Sequence, residues 1–248
     1  MVQCKKYDIP KVNILGVNIA AIDLDWLVDF TKRNIKDFSG QYICVSNVHT
    51  TVMAFENKEY SNIQNNALLA IPDGGPLSSV GRKRGFSCMS RTVGQDYMKR
   101  LFEDGYRHYF YGSTKETLEK MTSNLKSKYP NIEIVGSYSP AFRELTNKED
   151  EEIVKKINDT NPDFVWVGLG APKQEIWMYN HQNKIKGLMV GVGAAFDYFA
   201  GNIKRAPEWM QKMNLEWFYR LIQDPKRLFK RYLVTNSKFI WHSVIRGK

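Results

Sequence analysis

Apolar residues in this chain follow two periods. Short, nearly continuous apolar runs alternate with longer stretches whose apolar positions fall three or four apart, and these read as buried strands and one-sided helices. Residues 11–20, KVNILGVNIA, predict a strand pair turning near Gly16, and AIDLDWLVDFTKRNI predicts a helix through Leu24, Leu27, Val28 and Ile35. QYICVSN is a buried strand, VHTTVMAFENKEYSNIQNNA one helix after it, ALLAIPDGG a strand ending in a loop, and RTVGQDYMKRLFEDG a helix. The second half repeats the theme more clearly. RHYFYGS, NIEIVGSYS, DFVWVGLG and GLMVGVGAAFDYF carry strands (the last with a loop behind it), separated by helices in TKETLEKMTSNLKSKYP, KEDEEIVKKINDTNP and APKQEIWMYNHQNKI. Strands alternating with helical stretches imply crossover connections and a mainly parallel sheet. The expected class is α/β, doubly wound and Rossmann-like.

Charge divides the chain in two. From Gly201 to Lys248 there are eleven Lys/Arg against three acids (Glu208, Glu216, Asp224), so this segment holds +8 of the chain's formal +10. The expected organisation is an α/β catalytic domain over residues 1–200 and a basic helical appendage over 201–248. In the appendage, Pro207 opens a helix that runs on until Asp224-Pro225 breaks it and starts a second. There Lys226, Arg227, Lys230 and Arg231 interleave with Leu228, Phe229, Tyr232 and Leu233, which suits an interfacial helix on anionic lipid. An anionic partner is required, either a membrane surface or a nucleic acid. With 248 residues and 43% hydrophobic content the chain can bury a sizeable core. Cys4, Cys44 and Cys88 are scattered, without disulfide or zinc spacing, and fit a reducing compartment. No stretch of 18 apolar residues and no secretory leader is present, so a cytoplasmic protein with peripheral membrane contact is expected.

Ligands of open α/β sheets bind beyond the carboxyl ends of the strands. Three strands here end in small-residue turns, at Gly112-Ser113, Gly168-Leu169-Gly170 and Gly191-Val192-Gly193, where backbone amides could face a diphosphate. No Gly-x-Gly-x-x-Gly follows the first strand, and Pro172 interrupts the nearest approximation, which disfavours a nicotinamide-dependent oxidoreductase. Asp73, inside Pro72-Asp73-Gly74-Gly75-Pro76, reads equally as a general base and as a turn aspartate. Asn47 ends a strand and could equally cap a helix, and Gln174 and Glu175 open a helix after a proline. Asp23-x-Asp25 has the spacing of a metal-holding pair, but Asp23 stands at a helix N-cap position, which accounts for it. His49, His108, His181 and His242 show no metal-ligand spacing, and no metal or cofactor is expected.

Several of these segments occur together in a known pattern. CVSNVHT around Asn47, Pro72-Asp73-Gly74-Gly75, Arg91-Thr92-Val93-Gly94-Gln95-Asp96 and Tyr111-Gly112-Ser113 appear in order. They are followed by Gly168 through Pro172-Lys173-Gln174-Glu175, Gly191 through Gly193-Ala194-Ala195-Phe196-Asp197, Gly201 through Arg205-Ala206-Pro207, and Leu215-Glu216-Trp217 with Arg220. Over nearly its full length the chain resembles the WecG/TagA/CpsF family, glycosyltransferase family 26. The resemblance implies inverting, metal-independent transfer of a sugar from a UDP-sugar to a lipid-diphosphate-linked saccharide. The setting it implies is the cytoplasmic membrane face, in the making of teichoic acid, enterobacterial common antigen, capsule or exopolysaccharide. It implies Asp73 as general base, Arg91 as diphosphate ligand, Asn47 and Gln174 lining the site, and a C-terminal appendage that docks on the membrane and closes over the site. Arg220, Arg227 and Arg231 are the appendage cations expected to join Arg91 on the departing UDP. Val45 stands where relatives often have threonine and His49 where they have an acid, beside the expected acceptor pocket, so the resemblance is not extended to the donor sugar. A basic nucleic-acid-binding module would explain the appendage, but the body carries no reading motif for one. Monomer and homo-oligomer both stay open.

Overall fold

A hairpin opens the chain: β1 (Lys11–Ile14) and β2 (Val17–Ala20) pair antiparallel around a two-residue turn at Leu15-Gly16. The computed structural model describes residues 8–245, and among these eight strands and twelve α-helices follow one another. The first half continues with α1 (Leu24–Asn34), β3 (Tyr42–Ser46), α2 (Val48–Glu56), α3 (Lys58–Asn65), β4 (Leu69–Pro72), α4 (Gly75–Lys83) and α5 (Gly94–Lys99). The second contains β5 (Arg107–Gly112), α6 (Lys115–Lys128), β6 (Glu133–Tyr138), α7 (Asn147–Asp159), β7 (Phe164–Gly168), α8 (Lys173–Asn180), β8 (Leu188–Gly191) and α9 (Ala195–Ala200). Three helices close the chain: α10 (Glu208–Lys212), α11 (Glu216–Gln223) and α12 (Pro225–Phe239), with a π-helical turn at Ile240–Ile245.

The sheet order is β1-β2-β4-β3-β8-β7-β5-β6. The pairs β2/β4, β3/β8, β8/β7, β7/β5 and β5/β6 are parallel, so the mixed α/β, mainly parallel architecture expected from the alternation is present. Two compact units emerge. The first gathers residues 1–24, 45–93 and 203–248, the second residues 25–44 and 94–202. In the first unit α2 and α3 cover the β2 side and α12 lies on α2. Most of residues 201–248 thus belong with the strands that precede them rather than with a separate core.

Several elements differ from the sequence reading. The helix expected from Val48 onward is two helices, because Asn57 is extended (φ −132°, ψ 110°) and its side chain caps α3 by accepting from Tyr60 N at 3.0 Å. Residues 75–83, to which the sequence reading assigned no helix, form α4, whose Leu77 and Val80 are buried. Proline in the first turn is compatible with a helix, since the amide it lacks would have no intrahelical partner there. Residues behind β8, read as loop, form α9. The expected first helix of the appendage is divided at Asn214 (φ 59°) into α10 and α11.

The second unit's core is aromatic. Phe164 and Trp166 on β7 stack with centroids 5.1 Å apart, and His108 on β5 stacks on Phe164 and accepts a hydrogen bond from Trp166 Nε1 to its Nδ1 at 3.1 Å. Burial pushes the His108 imidazole down to about 4. Below pH 6.5 the unfolded chain therefore binds a proton that the folded chain refuses. Stability from this group is complete above pH 6.5 and falls between 6.5 and about 4, by about 3 kcal/mol in all. Urea midpoints measured across that range are expected to decline, and His108→Gln, which keeps an acceptor for Trp166, is expected to flatten the slope.

Candidate active site

In the first unit, two backbone hydrogen bonds gather the residues singled out above. Asp73 N donates to Ser46 O at 2.7 Å and Thr92 N donates to Pro72 O at 2.7 Å. The ends of β3 and β4 and the segment carrying Arg91 are thereby neighbours, which makes Asn47, Asp73 and Arg91 one cluster. Asn47 does act as a cap: its Oδ1 accepts from His49 N at 3.0 Å and Thr50 N at 3.2 Å, while Thr50 Oγ1 accepts from Asn47 N at 2.8 Å. Gly74 takes φ 103°, which lets the chain turn from Asp73 directly into α4, and the Asn214 side chain lies against Gly75, where a Cβ would come within 2.6 Å of it.

Arg91 is held by the last helices of this unit. Its Nη1 donates to Gln211 O at 3.3 Å and its Nη2 pairs with the Glu216 carboxylate, whose other oxygen lies 3.5 Å from Arg205 Nε. Arg231 on α12 is half-buried, and its Nε has no hydrogen-bond partner among the described residues. Burial holds its pKa below the ordinary arginine value, with the Arg227 and Arg220 guanidiniums adding to the effect and Tyr232 opposing it. Arg227 also pairs with Asp224. His49, in the first turn of α2, has its pKa lowered by burial and by Arg231, so its imidazole is neutral at pH 7.

The second unit brings the glycine turns together around one side chain. Gln174 is 4% exposed, and its Oε1 accepts from Gly170 N at 3.2 Å and Gly193 N at 3.1 Å, while its Nε2 donates to Glu175 Oε1 at 2.7 Å. Ser113 N donates to Gly168 O at 3.1 Å, which ties the Gly112 turn to the same group. Here the expectation changes. The Gly170, Gly193 and Ser113 amides, read as facing a diphosphate, are taken by protein acceptors, because a buried amide needs a partner with or without a ligand. Glu175 is 1% exposed rather than at the surface of its helix. Pro172 follows a cis bond from Ala171, Lys173 is exposed, and Asp197 is turned to Asn202, accepting from its Nδ2 at 3.1 Å.

Among the described residues, eleven of the fifteen large apolar side chains left exposed lie between Trp209 and Ile245, Trp209, Ile222, Phe229, Leu233 and Trp241 among them. Leu228 and Phe239 face inward. Among the same residues no helix is long and apolar enough to cross a membrane, and no group of three or more His, Cys, Asp or Glu could hold a metal ion. The contacts of Arg205, Gln211 and Glu216 with Arg91 and with one another were not foreseen from the sequence. Glu216 carried a signal, being one of three acids in an otherwise cationic segment.

A profile of the glycosyl transferase WecG/TagA/CpsF family matches residues 12–248. The chain belongs to this family. It is 34% identical over 85% of its length, and 82% of the relative's, to an N-acetylglucosaminyldiphosphoundecaprenol N-acetyl-beta-D-mannosaminyltransferase of Bacillus subtilis. A protein of the same name from Staphylococcus aureus is 30% identical over 88% of this chain and 87% of its own. A third, from Bacillus spizizenii, is 33% identical over 76% and 73%. The protein is accordingly a glycosyltransferase of the WecG/TagA/CpsF family, and the nucleic-acid-binding and oxidoreductase alternatives lose their support. In this transferase the Gly112 turn tolerates no side chain. A Cβ there would meet the Gly168 carbonyl carbon at 2.7 Å, at a φ of 120°. Gly112→Ala is expected to lower stability by about 2 kcal/mol or more in urea unfolding.

Proposed function

We propose that this transferase moves a sugar from a UDP-sugar to a polyprenyl-diphosphate-linked saccharide, with inversion and without a metal. The observation that carries the reading is the cluster of Asn47, Asp73 and Arg91 made by the two strand-end hydrogen bonds. Asp73 removes the proton of the acceptor hydroxyl as that oxygen attacks the anomeric carbon and the bond from that carbon to the UDP oxygen breaks. General-base help of this kind contributes about 10²–10⁴-fold. The negative charge left on UDP falls to guanidiniums, since the Gly170 and Gly193 amides are bonded to Gln174. Arg91 is the first of these, with Arg220, Arg227 and Arg231 beside it in role. The relatives' printed names support N-acetylglucosaminyl-diphosphoundecaprenol as acceptor. Val45 and His49, beside Asn47, are where we place the choice of donor sugar.

The acidic surface that balances the appendage is an anionic membrane, at the inner face of the cell membrane. Support comes from the exposed Phe229, Leu233 and Trp241 together with Lys226 and Lys230. Nothing in this reading calls for a cofactor.

Two experiments test it. Asp73→Asn is expected to keep UDP binding while turnover, read as UDP released from a panel of UDP-sugars with lipid-diphosphate-linked N-acetylglucosamine, falls about 10²–10⁴-fold. Near-normal turnover would remove Asp73 from the mechanism. Flotation with anionic vesicles should carry the full chain at low salt and less at high salt. Lys226→Ser with Lys230→Ser should weaken that association by about tenfold or more, at roughly 1 kcal/mol per cation. Equal flotation with neutral vesicles would refute the docking surface.

A further inference from the structure

Glu216 is an acid in the middle of the most basic stretch of the chain, and it does not face solvent. Its side chain is 14% exposed, and those of Arg91 and Arg205 are each 19% exposed. Charges withdrawn this far from water are stable only when paired. The pairing is divided: one carboxylate oxygen meets Arg91 Nη2, and the other lies 3.5 Å from Arg205 Nε. Arg91 Nη1 is meanwhile bonded to Gln211 O, and Gln211 is itself anchored by its Nε2 to Ala206 O at 2.7 Å. A guanidinium is planar, so a carbonyl on one terminal nitrogen and a carboxylate on the other set both its position and the direction of its plane. Thr92 N fixes the backbone beside Arg91 to Pro72, the last residue of β4. Arg91 is thus held from its main chain by the β4 end and from its side chain by α10 and α11.

We propose that Glu216 is a positioning residue for the transfer reaction, orienting the Arg91 guanidinium toward the nucleotide diphosphate, with Arg205 as a second cation of the same anion-binding group. The inference rests on the assignment of Arg91 to the diphosphate made above. One Glu216 oxygen meets Arg91 and the other lies toward Arg205, so a single carboxylate links the two guanidiniums. The segment 203–223 therefore contributes to the site by holding a residue of the body, in addition to any cations of its own.

The test is a double-mutant cycle on the full chain, with UDP as the probe and its dissociation constant read by calorimetry. Arg91→Gln is expected to weaken UDP binding by about tenfold or more, the scale of one charge-assisted hydrogen bond. Glu216→Gln is expected to weaken it about five- to tenfold without a matching loss of melting temperature, and Glu216→Asp to recover part of that loss. The double variant should bind UDP no worse than Arg91→Gln alone, because Glu216 acts through Arg91. Arg205→Gln should weaken UDP binding independently of Glu216. Tighter UDP binding by Glu216→Gln would make the acid a competitor and overturn the inference, as would additive losses in the cycle. Normal UDP binding by Arg91→Gln would overturn the diphosphate assignment itself, and Glu216 would fall with it. Should Glu216→Gln fail to fold, Gln211→Pro is not a substitute, but Glu216→Asp still reads the same constant, and a wild-type value there at lowered stability would refute positioning.

Discussion

Two backbone hydrogen bonds, Asp73 N to Ser46 O and Thr92 N to Pro72 O, are the constraint on which the first unit depends. At the carboxyl end of a parallel strand the ladder runs out, and the last carbonyls need new partners. Here the partners come from the next crossing of the chain, so satisfying the backbone also collects the side chains. Asn47 caps α2, Asp73 precedes the Gly74 turn into α4, and Arg91 lies in the segment before α5, beside Thr92, whose N bonds the end of β4. Segments that solve a hydrogen-bonding problem have become the place where a carboxylate, a side-chain amide and a guanidinium are gathered.

The second unit solves the same problem with a side chain. Gln174 satisfies two glycine amides from different turns and is itself fixed by Glu175, so three strand ends are held as one rigid group. The consequence is chemical. Amides already bonded within the protein are satisfied without a ligand. The first unit, described by itself, gathers several guanidiniums.

The last helices combine inward-facing apolar anchors with exposed apolar and cationic side chains. Leu228 and Phe239 secure α12, and α12 lies on α2, while Phe229, Leu233 and Trp241 stay exposed. Two acids of this segment are paired: Asp224 caps α12 and pairs Arg227, and Glu216 pairs Arg91 with Arg205 nearby. The cationic character of the surface is therefore carried by Lys226 and Lys230 on the exposed side.

Much of this was legible along the chain, because burial on a strand or helix is written as local periodicity. The apolar runs at 42–46, 107–112, 164–168 and 188–191 are strands, and the Gly-rich turns and Asp73 follow strand ends as expected. The helix at Gly75–Lys83 was not legible, since glycine, proline and serine report backbone freedom and say nothing of the β1 side on which α4 packs. The break at Asn57 was hidden for the opposite reason: apolar spacing continues across it while a side-chain cap redirects the backbone. The pairing of Arg91 with Glu216, 125 residues apart, and the reach of Gln174 to Gly193 lay beyond any local pattern. Sequence alone determined most of the strands and helices and which side chains were candidates for the site, because those follow from neighbours a few residues away. Only the tertiary path decided which amides are already bonded and which acid holds which arginine, because a hydrogen bond or ion pair depends on ångström-scale approach between segments that sequence order leaves far apart.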